Sequence, residues 1–388
     1  MRALSGLGVL LLAPVLGLAT LAGVASVTAS PTVYTVAGLA AFCGVFLLGL
    51  LLCVPRPGRP VLRTVRALIV LGVAAFVGWQ VSVAALNPAD RAAALPELAG
   101  QQTWELKSGS RLAYVRHAPG KPRPEPVIVL HGRPDLAGLS RTFSSLRADG
   151  HAVYLYDRLG TGRSARLTDP SGYGLARDVE DLEEIRERLG AAKLTLVGHA
   201  EGATVAAAYV TAFPGRVARL VLSSPEPLGT RPAMFAHLDG AQSGRLALSM
   251  LHPRSLAIDV LASVDPGAVR TFADDAELDA RLDTRHRLTA PALHCPGAPA
   301  PSTPGGGGYA DLLDRPAPRL RAADVPESSA LPVLPVLIVR GSCDQALTPG
   351  EYLAAFPGAQ VVTVPSAGSA VHEDRPQEYI QALRGFLS

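Results

Sequence analysis

Residues 194–204 read Leu-Thr-Leu-Val-Gly-His-Ala-Glu-Gly-Ala-Thr. Leu194–Val197 has the composition of a buried strand, and the alanine-rich Thr204–Phe213 that follows has the composition of a helix. The join, Gly198-His199-Ala200-Glu201-Gly202, is the pattern Gly-x-Ser-x-Gly with alanine in the serine position. A sharp, strained turn of this kind lifts its central side chain above the end of a sheet, where a hydroxyl can attack a carbonyl. The flanking glycines are required because neighbouring backbone crowds the turn. Alanine keeps that backbone and deletes the chemistry, so the first question is whether the chain catalyses anything.

Outward from this turn, short continuous apolar runs recur at Pro126–Leu130, His151–Tyr156, Arg219–Leu222, Pro335–Val339 and Ala359–Val364. Such runs predict strands buried on both faces of a parallel sheet. Thr103–Arg116 alternates like an entry hairpin, while Arg177–Leu189 and Pro376–Leu387 have helical patterns. Alternating strands and helices predict a doubly wound α/β sheet with its site at the carboxyl ends of the strands. The alternation stops between Pro225 and Leu331, where a Pro/Gly-rich segment runs from Pro291 to Gly308. An insertion at that point is placed to act as a cap over the strand ends.

Further landmarks share the order and spacing of one superfamily. They are Leu130-His131-Gly132, Asp157 through Ser164 (with Gly160-Thr161-Gly162), the turn at Ala200, Arg340 through Asp344, and Ala367-Gly368-Ser369 through Pro376. Together they resemble the α/β-hydrolase superfamily, in its proline iminopeptidase-like branch, over residues 127–388 apart from the cap. The resemblance implies a triad of serine, acid and histidine. Its acid position carries over to Asp344. Its nucleophile position is Ala200, and its histidine position, directly after the glycine of the late turn, is Ser369. Triad members act as a unit, since histidine activates the serine and the acid orients the histidine. An isolated Asp344 therefore reads as a structural carboxylate.

Other residues near these positions have competing roles. The loop of His131, Gly132 and Arg133 is placed to supply one oxyanion-hole amide, and the amide of Glu201 the second. The Glu201 carboxylate either sits near the pocket, where it opposes a developing oxyanion, or faces solvent. His131 and His372 are the two candidate substitutes for the lost histidine, each with a structural reading beside it. His199 reads as a packed residue within the turn. In the cap, Asp274-Asp275-Ala276-Glu277 reads as the acidic start of a helix, with reception of a substrate amine as the alternative. No zinc or calcium ligand spacing is present in the sequence, and no cofactor is expected.

The N-terminal third is different in kind. The chain of 388 residues is 48% hydrophobic and only 18% charged, and its mean hydropathy is +0.25. That balance is too apolar for an ordinary soluble enzyme and predicts membrane spans. Leu4–Thr28, Val33–Val54 and Ala67–Leu86 contain no Lys, Arg, Asp or Glu, and each reaches the ~20 residues needed to cross a bilayer as helix. The first run has a second reading as a cleaved signal peptide. Arg56, Arg59, Arg63 and Arg66 fill the loop between the second and third runs. The positive-inside rule puts that loop in the cytoplasm and the large C-terminal part outside. The net charge of +3 owes much to this loop and implies no nucleic-acid partner. In an exterior domain Cys295 and Cys343 either form a disulfide or remain two thiols.

The expected organisation is a membrane region with three transmembrane helices at 1–86, a linker and entry hairpin at 87–125, and a hydrolase core at 126–224 and 332–388. A cap at 225–331 interrupts the core. The function expected is that of a multi-pass cell-membrane protein whose exterior, degenerate hydrolase domain binds a small molecule or peptide without hydrolysing it. Its other expected partner is the lipid bilayer. Two alternatives stand beside this one. The first is non-hydrolytic acid/base chemistry (cyclase, lyase or isomerase type) using Glu201, Asp344 or His372. The second is a hydrolase inactivated by substitution.

Overall fold

A computed structural model describes residues 2–388 except Ala89, 133–134, 227–237, 239, 299–304, 315–333 and 345–349. In chain order its helices begin with α1 (Arg2–Ala25), α2 (Pro31–Cys53), α3 (Pro60–Leu86), α4 (Leu136–Phe143), α5 (Leu175–Arg188) and α6 (Glu201–Ala212). They continue with α7 (Gly240–Met250), α8 (Pro253–Val264), α9 (Pro266–Phe272), α10 (Asp275–Thr289), α11 (Gly308–Asp314), α12 (Gly350–Ala355), α13 (Val371–Asp374) and α14 (Pro376–Leu387). The chain divides into two units. One comprises Met1–Arg91 with Ala247–Glu277, and the other Ala92–Leu246 with Leu278–Ser388.

The larger unit is built on an eight-stranded sheet: β1 (Gln101–Glu105), β2 (Arg111–His117), β3 (Val127–Leu130), β4 (Val153–Tyr156), β5 (Leu194–His199), β6 (Val217–Ser223), β7 (Val336–Gly341) and β8 (Gln360–Val364). Their spatial order is β1-β2-β4-β3-β5-β6-β7-β8. The β1–β2 and β2–β4 pairs are antiparallel, and all pairs from β4 to β8 are parallel. The period of two along each strand splits the core between the two faces. Ile128 and Leu130 pack with Leu182, Ile185 and the alanines of α6. Val127 and Val129 pack with Phe143 of α4 and with Ile380 and Leu383 of α14. Each fully buried Leu or Ile contributes on the order of 2 kcal/mol relative to exposure. Registry sets Leu130 opposite Gly198 and His199 opposite Ser223, so the ends of β3, β5 and β6 converge at one place.

In the smaller unit, α1, α2 and α3 are long and apolar enough to cross a membrane. Glycine lets the first two approach closely. A Cβ on Gly38 would lie 3.0 Å from the Gly17 carbonyl oxygen, and one on Gly17 would lie 3.2 Å from that of Gly38. Small residues at such a contact bring backbones within van der Waals range. The third helix begins at Pro60, ahead of the apolar run that starts at Ala67, which draws Arg63 and Arg66 into its first turns. Arg66 then donates from Nη2 to the Leu51 and Val54 carbonyls at 2.7 Å each. It caps the end of α2, where orphan carbonyls and the helix dipole favour a cation.

The described residues of the 225–331 stretch fall in both units. Residues 247–277, including α8 and α9, belong with α1–α3, and residues from 278 onward belong with the sheet. Arg254 explains the first association. Its Nη1 donates to Ala85 O (2.9 Å) and Leu86 O (3.2 Å) at the end of α3, and its Nη2 to Glu277 (2.7 Å). Tyr34 Oη donates to Ala268 O at 3.1 Å. The acidic Asp274–Glu277 run is accounted for within this unit: Asp274 pairs with Arg91, Asp275 with Arg270 and Glu277 with Arg254. The amine-receiving alternative gains nothing from these pairings.

Candidate active site

At the end of β5 the chain turns at Ala200, with φ +50° and ψ −119°, and enters α6 at Glu201. A residue with a Cβ held in this sparsely populated region stores about 1–3 kcal/mol of strain. Surrounding backbone enforces it. A Cβ on Gly202 would lie 2.2 Å from Leu130 O, and one on Gly198 would lie 2.5 Å from the Ala203 Cα. The Ala200 amide donates to Ser223 O at 3.0 Å. A Cβ on Gly132 would lie 2.9 Å from the Ala200 Cβ and 3.1 Å from the Glu201 nitrogen, so the loop after β3 abuts the turn at residue 200. Arg133 lies outside the described residues.

Ala200 lines a cavity of about 240 Å³, together with Gly132, Arg158, Glu201, His286 and Ser369. Glu201 faces this cavity rather than open solvent. Its Oε2 lies 2.7 Å from Arg158 Nη2, and Arg158 Nη1 donates to Asp178 at 2.6 Å. Arg158 is buried and is neutralised by these two carboxylates, as an unpaired buried charge could not be. Beneath them the Tyr156 phenol is pushed well above its ordinary pKa by burial, with Asp178 and Asp181 adding to the shift. Burial also raises Asp181, against hydrogen bonds from Ser110 and Ser108.

Of the two substitute histidines, neither lines the cavity. His131 is buried, with Nε2 3.0 Å from Asp157 Oδ1, while Asp157 Oδ2 accepts from the Arg163 amide at 2.8 Å. It ties the loop after β3 to the loop after β4. His372 is buried on α13, with its ring edge-on to His199 at 4.6 Å between centroids and Nε2 3.7 Å from Glu373. Nearby, the Tyr379 phenol is pushed up to about 12 by burial, with the Ser223 hydroxyl opposing the shift.

The late turn is bound into the fold. Ser369 lines the cavity, and its hydroxyl donates to Leu293 O at 3.3 Å. Gly368 presses against the same segment, where a Cβ would lie 2.3 Å from Leu293 O. Buried Asp374 closes the arrangement. It accepts from the Gly368 amide (2.7 Å) and the Cys295 amide (3.2 Å), and Oδ1 lies 2.6 Å from His294 Nδ1. Cys295 and Cys343 form a disulfide, with Cα atoms 5.5 Å apart. Asp344 follows it, buried, with its carbonyl accepting from Arg340 Nη2 at 2.9 Å, and is absent from the cavity wall.

Residues 125–376 match the family model of the alpha/beta hydrolase fold. The chain belongs to this family. Within it, the chain is 41% identical over 100 residues to a proline iminopeptidase of Heyndrickxia coagulans, covering 26% of this chain and 35% of that protein. It is 28% identical over 277 residues to the sn-1-specific diacylglycerol lipase ABHD11 of Mus musculus, covering 68% of this chain and 80% of the relative. Among solved structures, epoxide hydrolase A of Mycobacterium thermoresistibile superposes with a TM-score of 0.52 at 23% identity, over 74% of this chain and 97% of that one.

Ala200 and Ser369, the positions to which the resemblance assigns nucleophile and histidine, both border one cavity. Sequence reasoning missed His286, which lines that cavity, and the clasp of Asp374 with His294. Asp374 lies in the quoted late motif, so a carboxylate beside the lost histidine was a usable signal. Nothing local marked His294 or His286, which the insertion brings in from far along the chain.

Proposed function

We propose that this chain is a membrane-anchored α/β-hydrolase-fold protein that binds a small molecule or peptide in the cavity at Ala200 without hydrolysing it. The observation that carries this reading is that both substituted triad positions border one cavity. A carboxylate, Glu201, lines the same cavity, where its charge opposes a developing oxyanion. Acyl transfer needs a nucleophile, a base and a field that favours negative charge; here the first two are absent from their family positions and the third is opposed. The three apolar N-terminal helices support the anchor, and the arginine loop supports an exterior placement of the larger unit.

The test compares full-length wild type with Ala200→Ser/Ser369→His on aminoacyl amides and short esters, with ligand binding followed in parallel. Wild type is expected to be inert and the double variant to turn over, since the cavity and its glycine-built turn persist. Turnover by wild type would overturn the reading. A second reading, acid/base chemistry without a nucleophile, is favoured by the presence of Glu201, His199 and His286 on the same wall. Of its expected participants only Glu201 reaches the cavity, so Glu201→Gln is the variant that discriminates.

A further inference from the structure

The smaller unit has a cavity of its own, of about 190 Å³, lined by residues such as Leu18 and Leu21 of α1, Phe42 of α2, Ala85 of α3, and Leu256 and Ala257 of α8. Among the described residues no charged side chain lines it. Its one hydroxyl, on Thr35, is taken up by the Pro31 carbonyl at 2.5 Å. Cavities with such walls do not hold water. Arg254, between wall residues Pro253 and Leu256, turns its guanidinium to the α3 carbonyls and Glu277, so α8 is held across the end of α3 by an ion that the cavity never meets.

The position of the cavity identifies its occupant. Its walls are the C-terminal half of α1, the N-terminal half of α2 and the last turns of α3. That is one end of the three spans, opposite the arginine loop at residues 55–66. Flanking it, residues 247–277 expose large apolar side chains: Leu248 is 73% exposed, Leu251 63% and Val264 43%. Apolar side chains projecting from a segment bound to membrane helices have the acyl boundary of the bilayer as their solvent.

We propose that this cavity takes one acyl chain of a phospholipid from the exterior leaflet, with α8 lying in the bilayer interface as its lid. The inference rests on the membrane-anchored reading above. Lipid would thus be a bound component of the smaller unit, separate from any ligand of the cavity at Ala200.

The experiment reconstitutes the full chain in phosphatidylcholine vesicles containing phosphatidylcholine with a photoactivatable diazirine on its acyl chain. Adducts are mapped by mass spectrometry after illumination. Labelling is expected at Pro253–Ala257 and Gly38–Phe42, as well as at the exposed apolar positions Leu11, Phe76 and Leu251. Ala257→Phe and, independently, Leu256→Trp fill the cavity and are expected to lower labelling at 253–257 about tenfold, equivalent to about 1.4 kcal/mol, with Leu11, Phe76 and Leu251 unchanged. Labelling at 253–257 that both variants leave intact would be bulk-lipid contact and overturns the inference. So does labelling at Leu11 and Phe76 with none at 253–257, or adducts that join two copies of the chain through this cavity. Loss of labelling at Leu11 and Phe76 as well would overturn the membrane reading, and the inference with it.

Discussion

On the proposed reading the turn at Ala200 and the turn at Ser369 are two corners of one triad, and the chain holds them by different means. At Ala200 the turn has a positive φ, two flanking glycines and an abutment on Gly132. At Ser369 the backbone itself has been recruited. The preceding amide is bound by Asp374, which also holds the 294–295 segment, and the serine is tied to Leu293. The first corner is held by crowded backbone, and the second by a buried carboxylate clasp.

The largest effect should come from opening the clasp. Asp374→Ala removes the acceptor for two backbone amides and the partner of His294, all in a buried setting. Breaking such a buried, charge-assisted set costs about 3–5 kcal/mol. Thermal denaturation of the larger unit within the full chain checks this, and Asp374→Asn is expected to recover part of the loss. An Asp374→Ala variant as stable as wild type would dissolve the contrast between the two corners. A smaller effect follows from Cys295→Ser/Cys343→Ser, or from reduction. The disulfide joins residues separated by 48 positions, a span for which about 2–4 kcal/mol is usual. Hydrogen exchange should then rise at the amides of 368–370 and stay low at 198–206. Equal acceleration at both turns would show that the corners are not mechanically distinct.

How much of this was legible in the sequence follows the same division. The strand runs, the elbow and the late landmarks are local signals, set by burial on both sheet faces and by glycine where backbone crowds. Each of the six apolar runs expected as a strand has a counterpart, from β3 at Val127–Leu130 to β8 at Gln360–Val364. The site was legible only where the family's motif passes through it. His286 reaches the cavity and His294 reaches Asp374 from an insertion whose path no local pattern encodes. The split of that insertion was equally hidden, because it depends on Arg254 finding the orphan carbonyls of Ala85 and Leu86 across a sequence distance that periodicity does not span. Glu201, adjacent to the elbow, had two open orientations until its partner Arg158 was placed.

The smallest effect tests the first corner alone. If the elbow is a retained catalytic backbone, Ala200 still bears the strain of its φ +50°, and glycine at that position should relieve it. Strain relief of about 1–3 kcal/mol is partly offset by the ~0.5–1 kcal/mol that glycine costs through the flexibility of the unfolded chain. Ala200→Gly is therefore expected to stabilise the protein by roughly 1 kcal/mol, read as a rise in denaturation midpoint, whereas alanine-to-glycine changes elsewhere in α6 should destabilise it. A fall at position 200 would mean that the turn relaxes in solution and that the pocket's shape is not held by the elbow. A rise would mean the protein maintains an expensive backbone for which it has no nucleophile, which is the behaviour expected if a ligand still relies on that shape.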